Sequence, residues 1–92
     1  MKYLLILLLS FPVFAEEEKD ICETIEGFAS GVMKTRQLGV SLKDVLAPAK
    51  DKVLRYIIIE AYKVHGFSTD KHQKKAVIDF SNRIYLECLE GS

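Results

Sequence analysis

Apolar residues follow two regimes along this 92-residue chain. From Tyr3 to Leu9 they run almost without interruption and resume after Ser10; beyond Glu18 they recur at helical spacing. The first regime has the parts of an export signal: Lys2 behind the start Met, a short apolar stretch, then Pro12 ahead of the small-residue site Val13-Phe14-Ala15. The stretch is shorter than the roughly 20 residues a helix needs to cross a bilayer. A leader at residues 1–15 cleaved before Glu16 is therefore expected, with no permanent membrane anchor and a periplasmic or secreted product, residues 16–92, forming one domain.

The second regime predicts helices. Asp20 with Glu23 three residues on has the form of a capping box, and Ile21, Cys22, Ile25, Phe28, Ala29, Val32 and Met33 then line one face until Gly39 stops the helix. The opposite face carries Thr24, Gly27 and Gly31 and has almost no bulk. Ser41 and Asp44 repeat the cap-and-acid pattern for a short turn with Leu42, Val45 and Leu46 inward. Pro48 ends that turn and is placed in the first turn of a helix over about residues 48–65. The β-branched run Tyr56-Ile-Ile-Ile59 has strand character. Val53, Leu54, Ile57, Ile58, Ala61 and Val64 nevertheless keep the helical period, and no second strand-like segment exists to pair with it. After Gly66, Ser68 or Thr69 caps a last helix to about Leu89, with Val77, Phe80, Ile84 and Cys88 as its core stripe, widened by Ala76 and Ser81. The expected fold is all-α: a small bundle of three longer helices plus one short one.

The two cysteines sharpen this picture. In an oxidising compartment pairing of Cys22 with Cys88 is expected, against two buried free thiols or an intermolecular bridge. The bond would link the first and last helices as antiparallel neighbours. The chain-entropy model gives about 4 kcal/mol for a loop of that length, a large share of what so small a core can supply.

Charge balances overall, with 13 Lys and Arg against 13 Asp and Glu, which removes the electrostatic argument for a nucleic-acid partner. It does not balance locally. Antiparallel end helices gather Glu16, Glu17, Glu18, Asp20, Glu23, Glu26, Glu87 and Glu90 at the disulfide end. Lys34, Arg36, Lys63, Lys71, Lys74, Lys75, His65 and His72 gather at the other, so that Lys34, Arg36, Lys71, Lys74 and Lys75 form a basic pole. Acids at the start of the first helix and bases at its end complement its macrodipole, but the last helix has the reverse order. The basic pole is weighed as an anion-binding surface against a solvated one.

No constellation for catalysis is visible. His65 and His72 lack Cys or carboxylate partners at metal-ligand spacing, bridged cysteines are neither nucleophiles nor ligands, and there is no nucleophile elbow or phosphate loop. The expectation is a protein that is not an enzyme and uses no metal or cofactor.

Cys22, Phe28-Ala29, Met33, Arg36-Gln37, Gly39-Val-Ser-Leu42, Ala61-Tyr62, Ala76, Phe80 and Cys88 together resemble a pattern found in small exported, Cys-paired helical proteins of unknown function from proteobacteria and their phages. The resemblance covers nearly all of the mature chain and is most specific at Arg36, Gly39 and the cysteines. It implies a compact helical periplasmic domain and carries over no catalytic residue. In architecture alone the chain also resembles periplasmic immunity proteins that neutralise cell-wall-degrading toxins.

The functional expectation is a binding or inhibitory protein acting on an envelope partner, with a stress holdase and an immunity-type inhibitor as alternatives. Two sites follow from helix geometry. Arg36 falls on the apolar face of the first helix at about 100° per residue, so a structural role bonding the turn from Gly39 to Ser41 is preferred to ligand binding. Tyr56 and Ile59 fall on the polar face of the third, ringed by Arg55, Glu60 and Lys63, with the make-up of a partner or homodimer contact. The alternative is that this helix is buried nearly all round.

Overall fold

The structure, a computed structural model, describes residues 2–91, with side chains from Asp20 to Gly91. The expected leader at residues 1–15 and the acids Glu16, Glu17 and Glu18 lie outside the described side chains. Four α-helices follow one another: α1 (Lys2–Gln37), α2 (Leu42–Leu46), α3 (Lys52–Tyr62) and α4 (Asp70–Gly91). The described residues hold no strand; Tyr56 to Ile59 are helical.

Cys22 and Cys88 are bonded, 66 residues apart with Cα atoms 5.7 Å from each other, and α1 and α4 pack antiparallel along their length. α3 runs parallel to α1 on one side of that pair. The core between them is Ala29, Val32 and Met33 from α1, Ile57, Ile58 and Ala61 from α3, and Ala76, Phe80 and Ile84 from α4. Removing such side chains from water is what orders the bundle, and the short α2 and α3 depend on it most, since isolated helices of their length are marginal in water.

Local chemistry sets the helix ends. Gly39 has φ 90°, which a side chain would strain, and it closes α1 in a Schellman motif: Gly39 N–H donates to Arg36 (3.1 Å) and Val40 N–H to Thr35 (3.4 Å). Ser41 Oγ accepts from Asp44 N–H at 3.2 Å and caps α2. Thr69 Oγ1 accepts from His72 N–H at 3.4 Å at the start of α4.

Three boundaries differ from the expectation, the simplest being that α3 ends at Tyr62, short of residue 65, with Lys63 N–H donating to Glu60. Asp20 lies within α1 and is no cap; its carbonyl accepts the Thr24 hydroxyl at 3.0 Å. α3 begins at Lys52, because Asp51 Oδ1 accepts from Val53 N–H (2.8 Å) and Leu54 N–H (3.2 Å); Pro48 stands in the preceding turn. Three expected core residues also stand in the open: Ile21 is 59% exposed, Val53 51%, and Leu42 is exposed at the start of α2. α2 lies along α3 between Tyr62 and Arg55, so among the described residues no element reaches over the end where Ile21 and Val53 sit.

Candidate functional site

The uncovered end is a groove. Around the disulfide, Ile21, Cys22 and Ile25 of α1, Val53, Tyr56 and Ile57 of α3, and Ile84, Glu87 and Cys88 of α4 enclose about 390 Å³ open to solvent. Its walls are apolar. Its floor is rigid, since Cys22, Ile57 and Ile84 are buried and the bond to Cys88 holds α1 against α4. The acids Asp20, Glu23, Glu87 and Glu90 are exposed at this pole.

From the groove's edge at Tyr56 and Glu87, a ladder of alternating charge runs between α3 and α4 away from the disulfide. Tyr56 donates its hydroxyl hydrogen to Glu87 Oε1 at 2.9 Å, and Arg83 reaches both Glu87 Oε2 (3.3 Å) and Glu60 Oε1 (3.0 Å). Lys63 closes it on Glu60 Oε2 at 2.6 Å. The hydrogen bond from Lys63, helped by the charges of Lys63 and Arg83, holds the Glu60 carboxyl below the ordinary carboxylate range. The Tyr56 phenol moves the other way: donating to the Glu87 carboxylate favours its neutral form and raises its pKa, and burial adds to this.

The expected contact around Tyr56 and Ile59 is thereby divided. Tyr56 is 48% exposed and lines the groove, whereas Ile59, also exposed, points away from it. Lys63 belongs to the ladder. Arg55 turns back to donate to the Ala49 carbonyl at 3.0 Å and braces the turn before α3. Ile21 and Val53, which helical period alone assigns to the core, are instead the residues that join Tyr56 at the groove.

The opposite pole is built from polar clasps. Arg36 Nε donates to the Val64 carbonyl (3.1 Å), and its guanidinium lies against Gly66 and 5.2 Å from the centre of the Tyr62 ring. Its partner is thus the α3–α4 connection and not the turn from Gly39 to Ser41. The half-buried Arg36 can reach across because it sits in the last turn of α1, on the face that meets α3. Gln37 clasps the same connection from both sides, donating to the His65 carbonyl (3.0 Å) and accepting from Phe67 N–H (2.8 Å). Gln73 Nε2 donates to the Phe67 carbonyl at 2.7 Å. Tyr62 holds the Gly39 turn, its hydroxyl donating to the Val40 carbonyl at 2.6 Å, and burial raises its pKa.

Arg36 is accordingly occupied within the fold. Of the other basic-pole residues, Lys74 pairs with Asp70 (3.3 Å) and Lys75 with Asp79 (3.1 Å), both in exposed surroundings, while Lys34 and Lys71 make no ion pair among the described residues. His65 and His72 both pack on Phe67, with ring centres 5.2 and 5.8 Å from it. That convergence was invisible in the spacing. No group of His, Cys, Asp and Glu suited to a metal ion exists among the described residues.

No family model, curated protein or solved structure matches this chain. Arg36 and Gly39 close the loop pole together with Gln37 and Tyr62, and the two cysteines close the other, so all these residues have roles inside the fold.

Proposed function

We propose that this is a small exported binding protein, non-catalytic, which takes an apolar segment bearing a cation from an envelope partner into the groove at its disulfide pole. The observation that carries the reading is the groove: Ile21, Val53 and Tyr56 stand exposed over a floor held by the disulfide, with carboxylates gathered at the same pole. An aromatic and branched aliphatics within a charged rim are the make-up of an interface centre, and the carboxylates favour a basic neighbour. The disulfide and the leader-like first residues support an oxidising compartment outside the cytoplasm. Among the described residues no helix is long and apolar enough to cross a membrane. Binding is preferred to catalysis because the sequence carries no catalytic motif, and the hydroxyl of Thr69 that meets His72 caps α4 at an exposed helix start outside the groove.

A photo-crosslinking residue placed at Tyr56 in cells tests this, with one at Lys43 on α2 as control. The expected result is a discrete adduct with one envelope protein from Tyr56 only, competed by Val53→Glu in the same chain. Labelling equal at the two positions, or none, overturns it.

The holdase reading has one observation in its favour. The lowered pKa of Glu60 makes the ladder sensitive to acid, and further acids crowd the disulfide pole where the ladder ends. It predicts suppression of client aggregation below about pH 4 and no discrete adduct at neutral pH.

A further inference from the structure

α3 covers one side of the α1–α4 pair, and no helix covers the other among the described residues. On that outer side Leu38 is 81% exposed and Ile78 58%. They border a second groove of about 600 Å³, walled by Val77 and fringed by Lys34 and Lys74. Two exposed apolar residues alone are ordinary in a small protein; the arrangement of charge beside them is not.

At about 100° per residue, the outer side of α1 carries Glu23, Gly27, Gly31 and Lys34 in that order, an acid at one end and a base at the other. Neither Glu23 nor Lys34 makes an ion pair among the described residues. Both pairs, Glu23 with Lys34 and Gly27 with Gly31, are centred on the level of Phe28 and Ala29. The face is therefore complementary to itself turned end for end. α4 repeats the symmetry. Seven residues from each half of the disulfide bring Ala29 of α1 level with Ser81 of α4, and Ile78 and Tyr85 lie to either side of that level.

We propose that a second copy of this chain docks here, the two α1 helices crossing antiparallel about a two-fold axis at the level of Ala29. Glu23 of each copy then meets Lys34 of the other, and Ile78 of each meets the level of Tyr85 of the other, as an isologous contact requires. The pairing also accounts for the glycines. A Cβ built on Gly27 or Gly31 meets nothing within 4 Å, so a single copy has no packing need for them although they weaken the helix. Against a second backbone they allow close approach. This surface shares Glu23 with the acids of the disulfide pole, but Glu23 does not line the groove there, so the pairing does not depend on the groove's occupant.

Sedimentation equilibrium of the oxidised protein recovered from the periplasm, made from the full chain, tests the pairing. A dimer is expected in the range of about 10 μM, as suits a contact of modest size. Gly31→Leu should weaken association at least about tenfold while raising the melting temperature of the monomer, since Leu is the better helix former and the site is open. Lys34→Glu should weaken it too, and adding Glu23→Lys to that variant should restore it. A wild-type protein still monomeric at about 100 μM overturns the proposal. So does a dimer that survives Gly31→Leu, which would put self-association elsewhere. Crosslinking from Tyr56 is unaffected in either case, so the two proposals fail separately.

Discussion

At one end of the bundle a single covalent bond joins α1 to α4, and apolar side chains stand open around it; at the other, four hydrogen bonds from Arg36, Gln37 and Gln73 fasten the α3–α4 connection. The difference shows where such a small domain has surface to spare. A disulfide holds its helices without occupying their flanks, so Ile21, Val53 and Tyr56 remain available. A pole closed by side-chain hydrogen bonds leaves its most conspicuous polar groups engaged. Arg36 is structural here, as its place on an apolar face suggests, whereas Ile21 and Val53, apolar residues that look structural, are the better functional candidates.

The largest test of that contrast removes the bond. Cys22→Ala with Cys88→Ala, or reduction, should cost about 4 kcal/mol by the chain-entropy account and lower the melting temperature by more than about 15 °C. Calorimetry with and without reductant measures it. If the disulfide pole depends on the bond alone, hydrogen exchange should speed up most at the ends of α1 and α4 nearest Cys22 and Cys88.

The loop pole should respond in smaller steps. Gln37→Leu leaves the partly buried Phe67 N–H without its acceptor and the His65 carbonyl without its donor, for a loss of about 1–3 kcal/mol. Arg36→Lys gives up the Nε bond to Val64 and the planar contact with Tyr62, at about 1–2 kcal/mol. Gly39→Ala forces a side chain into φ 90° and should cost about 1 kcal/mol. Urea titrations at neutral pH check all three. Partner crosslinking from Tyr56 should survive each, because the groove lies at the other end.

Periodicity made much of this legible beforehand. The four helices, their antiparallel outer pair and the disulfide follow from apolar spacing and two cysteine positions, because those signals are local or admit one pairing. The groove does not follow from the same signals. Ile21 and Val53 sit on the correct helical faces for burial, and only the absence of a covering element makes them rim residues. Arg36 was readable as structural from its place on an apolar face, but its acceptor 28 residues away was not. The start of α3 is hard to read because Pro48 is a conspicuous signal and Asp51, which makes the cap, lies close behind it. The Tyr56–Glu87 contact, across 31 residues, likewise needs three-dimensional packing to be seen.

Acid should distinguish the charged ladder from the loop-pole clasps through Glu60. Its folded pKa is depressed, so its contribution to stability is present above the ordinary carboxylate pKa and is lost as pH falls through the depressed value. Unfolding free energy should therefore drop on acidification below that ordinary range, and the drop should be shallower in Glu60→Gln. The loop-pole clasps have no carboxylate in them, so Gln37→Leu should lower the whole pH profile without changing its slope.

The smallest expected effect is at Tyr56. Tyr56→Phe removes an exposed hydrogen bond to Glu87 and leaves the ring at the groove, so stability at neutral pH should change by less than about 0.5 kcal/mol. The phenol reports on the ladder more sensitively than stability does. Its pKa is raised from an ordinary 10.0, chiefly by donation to the Glu87 carboxylate, so the neutral form favours the fold below pH 10 and this contribution disappears as pH climbs through the raised value. Ultraviolet titration of phenolate should show a late-titrating tyrosine that is absent in Tyr56→Phe and moves back toward 10.0 in Glu87→Gln. Tyr62, also raised but by burial first, should titrate unchanged in both variants. A late component that persists in Tyr56→Phe at full amplitude would show that the loop pole accounts for all of it, and that Tyr56 stands at the groove without being tied to α4.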